Sequence, residues 1–238
     1  MKKTTKSKNE KSYKLPKGKA LALRTCNPDM TSHGGFEWPK TGRVKCADWS
    51  KEAVCGEGLH GLLWGEGDGS LLGESNRPHL VVEIDESAKV DLLGKVKFPS
   101  CTVVHCGDAK SATDFIREHG GRGRSIVMGT STSGEMGTST SGDRGTSTSG
   151  DRGTSTSGDM GTSTSGYMGT STSGDMGTST SGVMGTSKTG SVGIVVCRWW
   201  DAKAERSRLT VGHVGEDGIK PDTFYRCDDD GKLVESKP

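Results

Sequence analysis

Apolar and polar positions divide the chain into three regimes. From residue 19 to 127, short β-branched and leucine-rich runs alternate with polar, glycine-rich stretches. From 128 to 191 almost every position is Gly, Ser or Thr, and a Met or Arg returns at every eighth place. From 192 the apolar runs resume with Val-Gly-Ile-Val-Val-Cys. Period-two runs bounded by turn residues predict strands at 20–24, 43–46, 79–85, 89–92 and 102–106. A polar loop is expected over 27–35, and a helix over 112–119 with Ser111 as its N-cap and Gly120-Gly121 as its stop. Residues 192–200 and 206–214 read as two strands, 219–226 leads into a third, and Asp229-Asp230-Gly231-Lys232 turns the chain into a last strand at 233–235.

The middle regime is eight copies of the octapeptide Met-Gly-Thr-Ser-Thr-Ser-Gly-Asp, with almost no drift outside positions one and eight until the last copy. A strict short period predicts units that stack on one another, hence a solenoid. Thr-Ser-Thr-Ser fits a short strand. The glycines at positions two and seven are expected to supply the backbone angles of the turns. Lys188 stands at position five of the last copy, and a lysine is too costly to bury in a narrow interior, so position five should face solvent. Positions three and five then carry outward Thr, and positions four and six inward Ser. Two octapeptides per turn would give four sixteen-residue coils, about 20 Å long at the ~4.8 Å strand spacing; a coil of three octapeptides is the alternative. The competing picture, a disordered Gly/Ser/Thr linker, does not require the strict phase.

The resulting architecture is mainly β: a Lys-rich tail (1–18), an α+β module (19–127), a flattened β-solenoid (128–191) and a C-terminal β cap (192–238) with Trp199 and Trp200 closing the coil. The net charge of +2 gives no electrostatic case for a nucleic-acid binder beyond weak contacts by the tail. No apolar stretch predicts a signal peptide or a membrane helix, and seven cysteines form an odd count, so reduced thiols in a cytoplasm are expected. Cys46, Cys55, His60, Cys101, His105 and Cys106 follow no standard metal-ligand spacing, so neither a metal nor a cofactor is expected. Gly56-Glu57-Gly58-Leu59-His60-Gly61 matches the dinucleotide fingerprint in letters only, because Gly65-Glu66-Gly67-Asp68-Gly69 follows where a helix should start. The segment reads instead as a long exposed loop.

Three functional readings follow. His60 followed by Glu83 on a strand loosely resembles the His and Glu of ADP-ribosyltransferase-type folds, although the intervening Tyr of that pattern is missing. The outward threonines, Thr130, Thr132, Thr138, Thr140, Thr146, Thr148, Thr154, Thr156, Thr162, Thr164, Thr170, Thr172, Thr178 and Thr180, form a hydroxyl–methyl array able to order water. Met136, Tyr167, Met168, Val183 and Met184 share one edge of the sixteen-residue coil, a strip suited to a homodimer. The order of Asn27-Pro28-Asp29-Met30-Thr31, Gly35-Phe36-Glu37-Trp38, Cys55 to Gly61 and Ile219-Lys220-Pro221-Asp222-Thr223-Phe224-Tyr225 resembles phage- and prophage-encoded proteins of uncharacterised function with this three-part build. The repeat itself resembles the octapeptides of bacterial ice-nucleation proteins. The first resemblance implies a non-catalytic scaffold acting as a rigid spacer or protein-binding face; the second implies ice binding.

Overall fold

A computed structural model describes residues 13–238. The Lys-rich stretch read as a tail falls outside the described residues up to position 12. From Tyr13 onward it belongs to the first domain, because Tyr13 and Leu15 pack on that domain's core and the Tyr13 hydroxyl donates to Glu83 at 2.9 Å.

Seven strands build the first domain: β1 (Lys19–Thr25), β2 (Gly42–Lys45), β3 (Leu59–Leu63), β4 (His79–Asp85), β5 (Val90–Asp91), β6 (Val96–Phe98) and β7 (Ser100–Gly107). They form one sheet in the order β2-β7-β4-β1-β3-β6-β5, antiparallel at every pairing. β1 is apolar on both faces because both are covered. Ala20 and Ala22 join Leu80, Val82 and Ile84 in one core, while Leu21 and Leu23 join Val81 and helix α1 (Ala109–Ile116) in the other. The supposed loop at 56–69 instead contains β3, with Leu59 and Leu62 buried. Burial of these two leucines outweighs the flanking glycines. The helix starts three residues earlier than the sequence suggested: Asp108 is the N-cap, and its carboxylate accepts from the Ser111 amide at 2.7 Å.

The repeat supplies β8 (Thr130–Thr132), β9 (Thr138–Thr140), β10 (Thr146–Thr148), β11 (Thr154–Thr156), β12 (Thr162–Thr164), β13 (Thr170–Thr172), β14 (Thr178–Ser181) and β15 (Thr186–Lys188). Alternate octapeptides pair in parallel, Thr130 with Thr146, Thr146 with Thr162 and Thr162 with Thr178, so a coil is sixteen residues long and the solenoid has about four turns. β16 (Ile194–Asp201) continues the first sheet in the same phase, followed by β17 (Arg206–His213). β18 (Tyr225–Cys227) and β19 (Leu233–Glu235) continue the second. The cap's core is Val195, Cys197, Ile219 and Tyr225. Of the two tryptophans, Trp199 packs against Gly231 of the cap and Trp200 is 53 % exposed. Alternation along β16 explains the difference: Trp200 shares the outward phase of Ile194 and Val196, and Trp199 the inward phase of Val195 and Cys197. No helix among the described residues is long and apolar enough to cross a membrane.

The repeat glycines work differently from the sequence expectation. None of them has a positive φ; the left-handed residue of each turn is position one, from Met128 (φ 56°) through Arg144 (54°) to Met184 (60°), and on to Val192 (57°). The glycines are required by closeness. A Cβ on Gly150 would stand 2.7 Å from the amide nitrogen of Glu135, and one on Gly153 would stand 2.8 Å from the Gly137 carbonyl oxygen. Successive coils touch backbone to backbone at both corners.

Candidate functional site: two threonine faces

Within each repeat strand the serines point inward and the threonines outward. Ser147, Ser155, Ser163, Ser171 and Ser179 are fully buried, whereas Thr146, Thr154 and Thr162 are exposed. Alternation along a strand places positions three and five on the same surface, about 7 Å apart, and stacking repeats each pair every ~4.8 Å. The first face carries Thr130, Thr132, Thr146, Thr148, Thr162, Thr164, Thr178 and Thr180 on β8, β10, β12 and β14. It runs on into Ile194 and Val196 of β16, and then to His213 and Val211 of β17.

The second face carries Thr138, Thr140, Thr154, Thr156, Thr170 and Thr172 on β9, β11 and β13. Its last coil is altered: Thr186 is buried, and Lys188 turns outward with its ammonium 5.1 Å from the Phe224 ring centroid. The first face is therefore the longer uninterrupted hydroxyl–methyl lattice. It carries no charged side chain from β8 to β14, so what it offers a neighbour is hydroxyl hydrogen bonding and methyl contact.

The turns that hold these faces flat have their own ladder, which the sequence reading missed. Asp143 accepts from the Asp159 amide at 3.2 Å, Asp159 from Asp175 at 2.9 Å, and Asp175 from Ser191 at 2.7 Å. Asp151 does the same for Tyr167 at 2.9 Å. The recurrent Asp at position eight was the available signal: a carboxylate at a turn, one coil below an amide, accepts a charge-assisted bond. On the edge that carries Asp151, opposite Asp143, Asp159 and Asp175, Met136, Tyr167, Met168 and Met184 are exposed and Val183 is half-buried, with the Tyr167 hydroxyl 3.2 Å from the Met184 sulfur.

His60 and Glu83 are not brought together. β1 separates them: Glu83 pairs with Leu21, while the β1–β3 register runs towards Thr25 for His60. Four residues of β1, about 13 Å, lie between those levels. Glu83 is engaged by Tyr13, and His60 is held below the ordinary imidazole range by burial and by Lys95, Arg24 and Lys97. Among the described residues no three His, Cys, Asp or Glu side chains cluster closely enough to hold a metal ion.

Comparison with known proteins divides along the same boundary. Residues 20–118 match the model of a family described as a domain of unknown function, DUF7666. The repeat region is similar to ice nucleation proteins. The chain is 38% identical over 108 residues to ice nucleation protein InaA of Pantoea ananas, a match covering 44% of this chain and 8% of that protein. It is 40% identical over 101 residues to an ice nucleation protein of Xanthomonas campestris pv. translucens (41% of this chain, 6% of the other) and 41% identical over 101 residues to one of Pseudomonas syringae (41% and 9%). The match thus spans less than a tenth of each relative's length. No solved structure matches the chain.

Proposed function

We propose that the solenoid is an ice-binding element whose first threonine face arranges water into an ice-like layer. The observation carrying this reading is the sixteen-residue register, which turns a one-dimensional repeat into flat rows of paired threonines. Each hydroxyl can bond a water while its methyl group fills the space between waters, and rigid spacing limits the entropy lost on ordering the layer. The names of the relatives matched in the repeat region support the same chemistry. Four coils offer a strip about 20 Å long, a size suited to adsorbing on ice and less suited to templating a whole ice embryo. Inhibition of ice recrystallisation by the full chain tests the reading; crystals coarsening as fast as in buffer would refute it.

A rigid scaffold is the second reading, favoured by how firmly the first domain grips the solenoid. The Gly142 amide donates to the Ile126 carbonyl at 2.9 Å, the Gly69 amide to the Asp143 carboxylate at 3.2 Å, and Arg144 to the Gly73 carbonyl at 2.6 Å. Such a build would hold a partner-binding domain at a fixed distance from the cap. Replacing the repeats by a flexible linker of equal length should then abolish partner binding, and unchanged binding would dismiss the idea. The three-part build also supports a phage or prophage origin; the genes flanking the coding sequence test it, and a neighbourhood without phage genes would count against it.

A further inference from the structure

The interior of the cap brings two thiols together from different sheets. β16 extends the first sheet and β18 the second, and each turns a cysteine inward. Alternation dictates this: Val195 and Cys197 share the inward phase of β16, and Tyr225 and Cys227 that of β18. Cys197 is 0% exposed and Cys227 is half-buried. Cys227 Sγ lies 3.5 Å from the Cys197 carbonyl oxygen, and Cys197 Sγ lies 3.4 Å from the Tyr225 carbonyl oxygen. Each sulfur is also the other's hydrogen-bond partner. Thr210, opposite Cys197 in the β16–β17 ladder, donates to the Gly231 carbonyl at 2.6 Å, and that oxygen is 3.8 Å from Cys227 Sγ.

The two thiols are unequal. The hydrogen bond with Cys197 holds the Cys227 thiol below its ordinary value, and the same bond, with burial, pushes Cys197 up. The thiolate, the form that attacks electrophiles, therefore sits on Cys227, the less buried of the pair. The other thiols lack this combination. Burial pushes Cys26, Cys46 and Cys101 up. Cys55 is held down, but by the Lys95 ammonium 3.0 Å from its sulfur rather than by a second thiol.

We propose that Cys227 and Cys197 are a peroxide-reactive pair that closes to a disulfide between the two sheets. The Cys227 thiolate attacks one oxygen of hydrogen peroxide; the O–O bond breaks, the sulfur becomes a sulfenic acid, and the other oxygen takes a proton and leaves as water. Cys197 Sγ then attacks Cys227 Sγ. The S–O bond breaks, the S–S bond forms, and the departing hydroxide leaves with the Cys197 proton as a second water. Two thiols and one peroxide thus give one disulfide and two waters. The cross-link ties β16 to β18 at the end of the coil and closes a loop of about thirty residues. It is independent of the ice-binding reading, because it uses neither threonine face.

The test is peptide mapping of the folded full chain after hydrogen peroxide treatment and acid quenching, with the sulfenic-acid trap dimedone present in a parallel arm. Wild type should yield a peptide pair joined through Cys197 and Cys227 and separated by dithiothreitol. Cys197→Ser removes the resolving sulfur, so dimedone should label Cys227 several-fold more than in wild type. Cys227→Ser should leave Cys197 a free thiol. Absence of the joined peptides from folded wild type would overturn the proposal. So would a disulfide that forms only above the unfolding midpoint, or equal dimedone labelling of Cys227 in wild type and Cys197→Ser.

Discussion

Ser163 sits in the solenoid interior at 0% exposure with no hydrogen-bond partner for its hydroxyl, and eight other buried serines of the repeat likewise have none. A buried hydroxyl without a partner costs on the order of 1–3 kcal/mol, so serine is present there for its size and not for its bonding. Ser163→Ala should therefore leave stability unchanged or raise it by up to about 1 kcal/mol, read from the denaturant midpoint; a loss above that amount would mean that the hydroxyl is engaged. In the first domain, burial holds His79 below the ordinary imidazole value of 6.5, with its Nδ1 facing the Arg77 carbonyl at 2.8 Å. The unfolded chain then takes up a proton that the folded chain refuses. Stability from this group is complete above the unfolded value of 6.5 and is lost as the pH falls from there through the folded value. An imidazole titration followed by NMR should place His79 below 6.5, and a midpoint at or above that value would contradict the account.

The octapeptide becomes a coil because the corners are thin enough for backbones to meet. Position seven provides an internal control. A Cβ at Gly150 would lie 2.7 Å from the Glu135 nitrogen, whereas Gly134, with no coil beneath it, has nothing within 4 Å. Gly150→Ala should cost about 1–3 kcal/mol through overpacking, while Gly134→Ala should be nearly neutral; equal effects in thermal denaturation would disprove the close-approach explanation. This is also where sequence legibility stopped. The strands, the sixteen-residue option and the inward serines follow from period-two alternation and the placement of Lys188. The left-handed residue at position one could not be seen, because Met and Arg are not residues that advertise a positive φ. β3 was hidden for the opposite reason: glycines at 56, 58 and 61 imitate a loop, and only tertiary burial of Leu59 and Leu62 makes a strand of it.

At the scale of the molecule, a solenoid filled with serine buries little apolar surface and depends on its ends and its neighbours. We propose that the edge bearing Met136, Tyr167, Met168, Val183 and Met184 pairs with a second copy. Met168→Lys with Met184→Lys should then reduce the mass measured by light scattering without loss of β-structure; an unchanged mass, or a wild type that is monomeric at high concentration, would exclude the dimer. The two threonine faces make the central claim separable from mere solenoid stability. Thr146→Lys with Thr162→Lys alters the uninterrupted face, and Thr138→Lys with Thr154→Lys alters the one that Lys188 already breaks. All four residues are exposed, so each change should perturb folding by no more than about 0.5 kcal/mol. The most direct measurement is ice recrystallisation inhibition by these two folded variants beside the wild type. The account predicts strong loss for the first pair and a smaller loss for the second; full activity in the first variant would contradict it.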